Sequence, residues 1–350
     1  MLEQTHKPTT SSLRLPAPLR TALPYAIAVV AAFVAAGIFI AAMGFDVLKA
    51  YETILLTSFR TPNGFIQTLL KFVPLVLQAL AFTVPLAAGK FNMGGEGQMI
   101  IGATGATAVG IMFADLPLPV LLPLSIFAGI LFGAVFGFIP GWLLHRFGIS
   151  EILTTMMFNS ISFSIIDYVA TEIWRDPAAG HPTTVPISEG AWLPLLVDNP
   201  PLHIGIILAV IIAVGIYIYT NRSSGGYELV ATGANPRASK VFGIDISKMA
   251  VLSLVIGGAL AGLAGAIEVQ GYQHRLIVGL QHNFLILGVI IGLISKGNNI
   301  AVPFVAFFIA VLEVGASAMQ RTLMIPVEMV FIVEALVLLF VLLSDVVRRR

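Results

Sequence analysis

The sequence contains no cysteine, little charge and no excess of basic residues. Among its 350 residues only 11% are aspartate, glutamate, lysine or arginine, and the net charge is +1. The absence of cysteine excludes disulfide bonds, thiolate nucleophiles and cysteine-ligated metals. Soluble domains carry roughly 25% charged residues, so this chain has too little charge to cover a water-soluble globule. The charge balance also provides no basic surface for nucleic acid. We expect no metal and no cofactor.

Apolar residues dominate instead, at 57% of the chain with a mean hydropathy of +0.95. They occur in runs of about twenty residues, enough for a helix to cross ~30 Å of hydrocarbon. This pattern predicts an all-α, polytopic integral membrane protein with about ten transmembrane helices. The spans are Leu23–Phe45, Ile66–Ala88, Gln98–Ala114, Val120–Leu144, Ser150–Thr171, Leu202–Tyr219, Met249–Gln270, Asn283–Ser295, Ile300–Met319 and Ile325–Ser344. The segment Asn283–Ser295 is too short to cross unless it is broken or tilted.

The distribution of basic residues predicts the orientation. Most of the 19 lysines and arginines lie on the side that holds both chain ends, which is therefore cytoplasmic. The predicted parts are a cytoplasmic N-terminal tail at 1–22, a transmembrane domain at 23–345 and a basic cytoplasmic tail at 346–350. A proline-rich external loop covers 172–201, and a cytoplasmic loop covers 221–248.

The segment 90–98, KFNMGGEGQ, interrupts the apolar pattern with glycines and with Asn92, Glu96 and Gln98. Irregular backbone at membrane depth is tolerated only beside protein or water. We expect these residues to line or shape a permeation route, with Glu96 capping a helix that begins near Gln98. The alternative is an ordinary turn between two helices.

Other polar residues lie within the spans. Asn159 and Glu313 join the candidate pathway residues, although hydrogen bonding between helices is an equally good interpretation of Glu313. Glu268 lies near a span end, where contact with solvent is expected. No metal-ligating cluster or complete acid–base relay is evident in the spans.

Glycines also form stripes at helical spacing. One span holds Gly129, Gly133, Gly137 and Gly141, and another holds Gly258 and Gly262. Glycine every fourth residue allows a neighbouring helix backbone to approach closely. Static packing and a surface for sliding helices both fit this pattern.

The cytoplasmic loop contains a helix-start signal. Asn235 precedes Pro236, which suits the first helical position, and Gly243 ends the segment. From the residues alone, a docking helix and a solvated linker are both possible.

Four strings occur in order along the chain. They are FNMGGEGQMIIGA at 91–103, GISEILTTMMFNSI at 148–161, GYELVATGANPRASKVFGIDISK at 226–248 and GGALAGLAGAIEV at 257–269. Together they resemble ABC importer permeases of the branched-chain amino acid and simple-sugar class, most closely the nucleoside (basic-membrane-protein-dependent) branch. The resemblance covers roughly residues 25–345. It implies that 226–248 is the element that contacts the ATPase, with contacts at Gly233, Asn235, Pro236, Arg237, Lys240 and Gly243.

The resemblance predicts a permease subunit that moves a nucleoside or related simple-sugar solute across the bacterial cytoplasmic membrane. The chain has no lysine followed by serine or threonine, so it lacks the Walker A pattern and ATP hydrolysis must reside on a separate chain. The implied partners are an ABC ATPase, a second permease subunit in a heterodimer, an extracytoplasmic solute-binding protein and the lipid bilayer.

Two alternatives remain. An ion-coupled secondary transporter would need a complete buried acid–base relay. A membrane-embedded transferase would need clustered polar residues, for which only His274, Arg275 and His282 are candidates.

Overall fold

A computed structural model describes residues 17–326 and 328–349, and in this part of the chain nearly all regular structure is helical. The helices are α1 (Ala17–Ala42), α2 (Val47–Arg60), α3 (Pro62–Ala87), α4 (Gly95–Met112), α5 (Leu118–Phe147), α6 (Glu151–Tyr168), α7 (Gly205–Arg222), α8 (Ser224–Ala234), α9 (Pro236–Val241), α10 (Ile246–Glu268), α11 (Phe284–Ile294), α12 (Ala301–Leu323) and α13 (Glu328–Arg349). Five-residue π-helical turns extend α6 over Val169–Ile173 and α10 over Val269–Gln273.

The helices are those of a multi-pass membrane protein. Within the described residues, six are long and apolar enough to cross a bilayer. They are α3, α5, α7, α12, and α6 and α10 with their π-turns. The short segment predicted at 283–295 is α11, and its 11 residues rise only about 16 Å, half of a hydrocarbon core.

The first and last helices extend beyond the predicted spans. Helix α1 begins at Ala17, inside the segment predicted to be a tail, while residues 1–16 lie outside the described residues. Helix α13 continues through 346–349, so these positions of the predicted C-terminal tail are helical, and Arg350 lies outside the described residues. A helix continues through polar residues when its hydrogen bonds propagate, so hydropathy alone does not locate its ends.

Three elements had no counterpart among the predicted spans. Helix α2 buries Ala50, Ile54 and Ser58 at a spacing of four, so it has one packed face but is too short to cross. Helix α8 occupies the first part of the loop predicted to be cytoplasmic. Strands β1 (Leu195–Val197) and β2 (Leu202–His203) pair antiparallel and form a small hairpin at the end of the segment predicted to be external.

The chain forms two compact units. One comprises the residues up to Val47 and from Phe331 onward, and the other comprises Leu48–Val330. In the first unit, α1 buries a stripe made of Ala28, Ala32, Ala36 and Ile40. In the second unit, α3 lies at the centre and contacts α7, α10, α11 and α12, while α4, α5 and α10 pack on one another.

The predicted glycine stripes lie where α5 crosses α10. A β-carbon at Gly133 would lie 2.6 Å from Gly262 Cα, and one at Gly137 would lie 3.1 Å from Gly258 Cα. A β-carbon at Gly129 would lie 2.6 Å from Ala266 Cβ, and one at Gly141 would lie 3.2 Å from Val251 Cα. The two backbones therefore touch along the crossing, which larger residues would prevent.

Candidate functional site

The polar turn that precedes α4 is closed by paired amides. Asn92 Nδ2 donates to Gln98 Oε1 at 2.8 Å, and Gln98 Nε2 donates back to Asn92 Oδ1 at 2.9 Å. Asn92 also donates to the Ala81 carbonyl of α3 at 3.2 Å and accepts from the Gly94 N–H at 3.2 Å. Both side chains are only 1% exposed. This pair fixes the turn against the end of α3.

Asn159 fixes the same turn from the other side. Its Oδ1 accepts from the Gly97 N–H at 2.9 Å, and its Nδ2 donates to the Met93 carbonyl at 2.8 Å. Thr155, one turn earlier on α6, accepts from the Met93 N–H at 3.2 Å. Three of the five residues predicted to line a pathway, Asn92, Gln98 and Asn159, are thus brought together in one buried network.

Glu96 does not cap α4 as predicted. Helix α4 begins at Gly95, and its N-cap is Gly94, a residue without a side chain that could cap the helix. Glu96 therefore lies within the first turn, because the glycines start the helix earlier than the hydropathy suggested. Its carboxyl group instead accepts a hydrogen bond from the backbone N–H of Leu285, in the first turn of α11.

Glu313, the fifth predicted residue, lies on α12, apart from this network. Its Oε1 atom is buried and makes no hydrogen bond with the residues that the structure describes. The nearby charge is Lys71 of α3, which interacts electrostatically with the Glu313 carboxyl group. The sequence did not single out Lys71 as a functional residue.

Lys71 lines a cavity of about 360 Å³ that belongs entirely to the larger unit. Gln67 and Lys71, one helical turn apart on α3, form one wall. Glu268 and the π-turn residues Tyr272 and Gln273 form the facing wall. The cavity lies near the end of the unit that holds the β-hairpin, because His203 of β2 also lines it.

The charged groups of the cavity are held by neighbouring polar and aromatic groups. Lys71 Nζ lies 4.9 Å from the centroid of the Phe284 ring, at the beginning of α11. Lys71 interacts electrostatically with Glu268, and Gln273 hydrogen-bonds to the Glu268 carboxyl group. In the described part of the chain, no ion pair at hydrogen-bonding distance joins Lys71 to a carboxylate. Acid and base therefore face one another across the cavity.

Two histidines also line the cavity, and burial lowers the pKa of each. Burial, together with the charge of His274, lowers the pKa of His203 to about 4. His203 Nδ1 accepts a hydrogen bond from the Gly205 N–H at 3.1 Å, which requires that atom to be unprotonated. Burial also lowers the pKa of His282. The charge of Lys71 lowers this pKa further, whereas the hydrogen bond to the Leu280 carbonyl raises it.

At the opposite end of α3, the loop predicted to be cytoplasmic contains the helix expected from its sequence. Asn235 caps α9 by accepting from the Ala238 N–H at 3.1 Å, and Pro236 is the first helical residue. Gly243 has a φ of +81°, which few other residues adopt at low cost. Arg237 and Lys240 are exposed on this helix.

Helix α9 is held against the bundle through α8. A β-carbon at Gly233, near the end of α8, would overlap the Ala87 carbonyl and lie 2.8 Å from the Gly89 N–H. The backbone of α8 thus packs directly on the end of α3. Beyond it, Val241 and Phe242 are 85% and 83% exposed. The apolar tip of α9 therefore projects away from the unit.

Residues 64–342 match the family described as branched-chain amino acid transport system, permease component. The chain belongs to this family. It is 32% identical to the nucleoside ABC transporter permease protein NupB of Lactococcus lactis, over 92% of this chain and 90% of that protein. It is 32% identical to the guanosine ABC transporter permease protein NupP of Bacillus subtilis, over 92% of this chain and 93% of that protein. It is 29% identical to the glucose ABC transporter permease protein TsgB13 of Haloferax volcanii, over 92% of this chain and 87% of that protein.

The resemblance inferred from the four sequence motifs is confirmed, and the chain is an ABC importer permease. Sequence reasoning missed Lys71 and underestimated Glu268 in this permease. A signal was present, because Gln67, Lys71 and Pro74 occur at i, i+4 and i+7 and so share one face of α3. Glu268 and Tyr272 have the same spacing on α10 and its π-turn.

Proposed function

We propose that this permease is a membrane subunit of an ATP-driven importer for a nucleoside or a related simple-sugar solute. The three relatives named above support both solute classes, because two are nucleoside or guanosine permeases and one is a glucose permease. We place it in the bacterial cytoplasmic membrane, with both chain ends inside. Ten membrane segments would result from counting α1, α4, α11 and α13 with the six long apolar helices.

The observation that carries the proposal is the exposed apolar tip of α9, Val241 and Phe242, beside the basic residues Arg237 and Lys240. Two large apolar side chains held in water by a capped helix favour a protein partner on the cytoplasmic side. We assign that partner as the ABC ATPase. Contact between Gly233 and the end of α3 would transmit ATPase movements to the membrane helices.

The remaining partners follow from the proposed function. A solute-binding protein would deliver solute to the external surface that includes 172–201. A second permease chain would complete a heterodimer. Within this chain, Asn92, Gln98 and Asn159 would shape the route by fixing the turn before α4, while Glu96 would connect that turn to α11.

The test is the variant Phe242→Ala. Truncating a buried aromatic anchor at an interface costs about 1–3 kcal/mol, so we expect the affinity of the ATPase for the purified permease complex to fall about tenfold or more. Uptake of labelled inosine by proteoliposomes should fall with it, whereas insertion into the membrane should not change. Phe113→Ala is the matched control. Phe113 is also exposed, but it follows the C-terminal end of α4, which is the end away from α8 and α9. ATPase binding and uptake at the wild-type level in Phe242→Ala would contradict the docking role.

A further inference from the structure

The cavity beside Lys71 is bounded by two polar helix faces that the network around Asn92 does not use. Gln67 and Lys71 point into it from α3, and Glu268, Tyr272 and Gln273 point into it from the end of α10. Small-molecule sites occupy roughly 300–1,000 Å³. The volume of about 360 Å³ therefore suits one molecule of the size of a monosaccharide or nucleoside.

The chemistry of the walls favours a neutral ligand rich in hydroxyl groups. Lys71 supplies N–H donors, Gln67 and Gln273 supply amides that donate and accept, and the Glu268 carboxyl group supplies acceptors. A hydroxyl group donates and accepts at once, so a sugar ring can bridge Lys71 to Glu268. Lys71 and Glu268 carry opposite charges when both are ionised, so the walls present no net charge that would select an anion or a cation.

The backbone beside the cavity departs from regular α-helix after Glu268. The π-turn of Val269–Gln273 forms one wall, and π-helical turns in α-helices often occur at functional sites. His274, His282 and Asn283 have φ values of 54°, 37° and 59°, unusual for residues other than glycine. Such conformations persist only where the surrounding structure holds them.

Helix α11 begins directly beside the cavity and runs parallel to the second half of α3. Phe284 lies beside Lys71, and a β-carbon at Gly288 would lie 3.0 Å from Gln78 Cβ. Farther along, a β-carbon at Gly292 would lie 2.6 Å from the Phe82 ring. A half-length helix that starts at a polar cavity is the arrangement in which transporters place solutes within the membrane.

We propose that this cavity is a binding site that holds one neutral, polyhydroxylated solute between Lys71 and Glu268 during its passage through the permease. The proposal rests on the proposed import of nucleosides or sugars and adds the place within this chain where the solute is held.

The experiment uses the absence of cysteine in the natural chain. Gln67→Cys and Gln273→Cys each place a single thiol on one wall of the cavity. The complete importer is reconstituted, and the rate at which a methanethiosulfonate reagent modifies the permease is followed by mass spectrometry. Asn63→Cys is the control, because Asn63 is exposed at the beginning of the same helix and does not line the cavity.

We expect saturating inosine or ribose to slow modification of both cavity thiols at least fivefold and to leave the control thiol unaffected. Lys71→Met and Glu268→Gln should each lower uptake at least tenfold. Unchanged labelling rates in a complex that imports the solute would overturn the cavity proposal and leave the proposed function intact. If the wild-type complex imports neither inosine, ribose nor glucose, the proposed function itself is wrong.

Discussion

The turn before α4 and the cavity beside α3 both place polar side chains among apolar helices, but they satisfy those side chains differently. In the turn, the Asn92 and Gln98 amides bond to each other, and Asn159 bonds to the surrounding backbone. At the cavity, Lys71 and Glu268 face one another without a hydrogen-bonded ion pair. The turn uses its polar groups internally, whereas the cavity presents them to a space of about 360 Å³.

This difference separates a structural role from a binding role. A buried amide that finds its partners within the chain rigidifies the fold and offers little to a ligand. A polar group that lines a cavity retains hydrogen-bonding capacity that a ligand can use. If the cavity holds the solute as proposed, the density of polar residues in the sequence is a poor guide to solute contact, since the densest segment, 90–98, has its amides paired.

The largest expected effect concerns the tightly packed region to which the turn belongs. A β-carbon at Gly262 would overlap the Gly129 carbonyl and lie 2.9 Å from Gly133 Cα. Backbone atoms cannot rotate away as side chains do, so Gly262→Val should separate α5 from α10 and prevent folding. We expect the fraction of monodisperse permease after detergent extraction to fall at least tenfold.

Gly215→Val is the matched control for this variant. Gly215 lies within α7, and a β-carbon there would meet no atom within 4 Å. It should extract at the wild-type level. Recovery of Gly262→Val at the level of Gly215→Val would refute the idea that folding requires the backbone contact between α5 and α10.

The second prediction compares the two regions through the same substitution. Gln98→Leu should destabilise the permease by about 1–3 kcal/mol for each group left unpaired, because it removes both bonds to Asn92. Gln67→Leu, on the cavity wall, should change stability by less than about 0.5 kcal/mol. Unfolding in detergent, followed by intrinsic fluorescence, measures both.

A double variant tests whether the amide pair acts as a unit. Asn92→Leu with Gln98→Leu should be less destabilised than the sum of the two single variants, because each single variant already breaks the shared bonds. Strictly additive losses would mean that the pair is not coupled, and equal losses for Gln98→Leu and Gln67→Leu would erase the distinction between turn and cavity.

Features with local causes were the ones that the sequence could predict. The boundaries of α9 follow from Asn235, Pro236 and Gly243, which act on their own backbone within a few residues. The cavity could not be predicted in this way. Lys71 and Glu268 are far apart along the chain, and they meet because α3 and α10 pack side by side, which helical periodicity does not specify. The prediction that Glu96 caps α4 was wrong for a related reason, since its hydrogen-bond partner Leu285 belongs to α11, which is distant in sequence.

The smallest effect concerns protons at the cavity. His203 is buried and tightly enclosed, because β-carbons at Gly205 and Gly271 would lie 2.5 Å and 2.7 Å from its ring. Its pKa of about 4 is below the usual 6.5, so between these values the unfolded chain binds more protons than the folded chain. Stability should be complete above pH 6.5 and should fall as the pH decreases toward 4, by about 2 kcal/mol at pH 5.

His203→Asn keeps an acceptor for the Gly205 N–H but does not titrate, so it should be less stable at pH 7 and lose less stability between pH 7 and pH 5. Thermal unfolding of both forms in detergent at pH 7, 6 and 5 measures this. A wild-type midpoint that does not change over this range would show that His203 gains its proton as easily in the folded permease as in the unfolded chain, and the neutral state assigned to His203 would then be wrong.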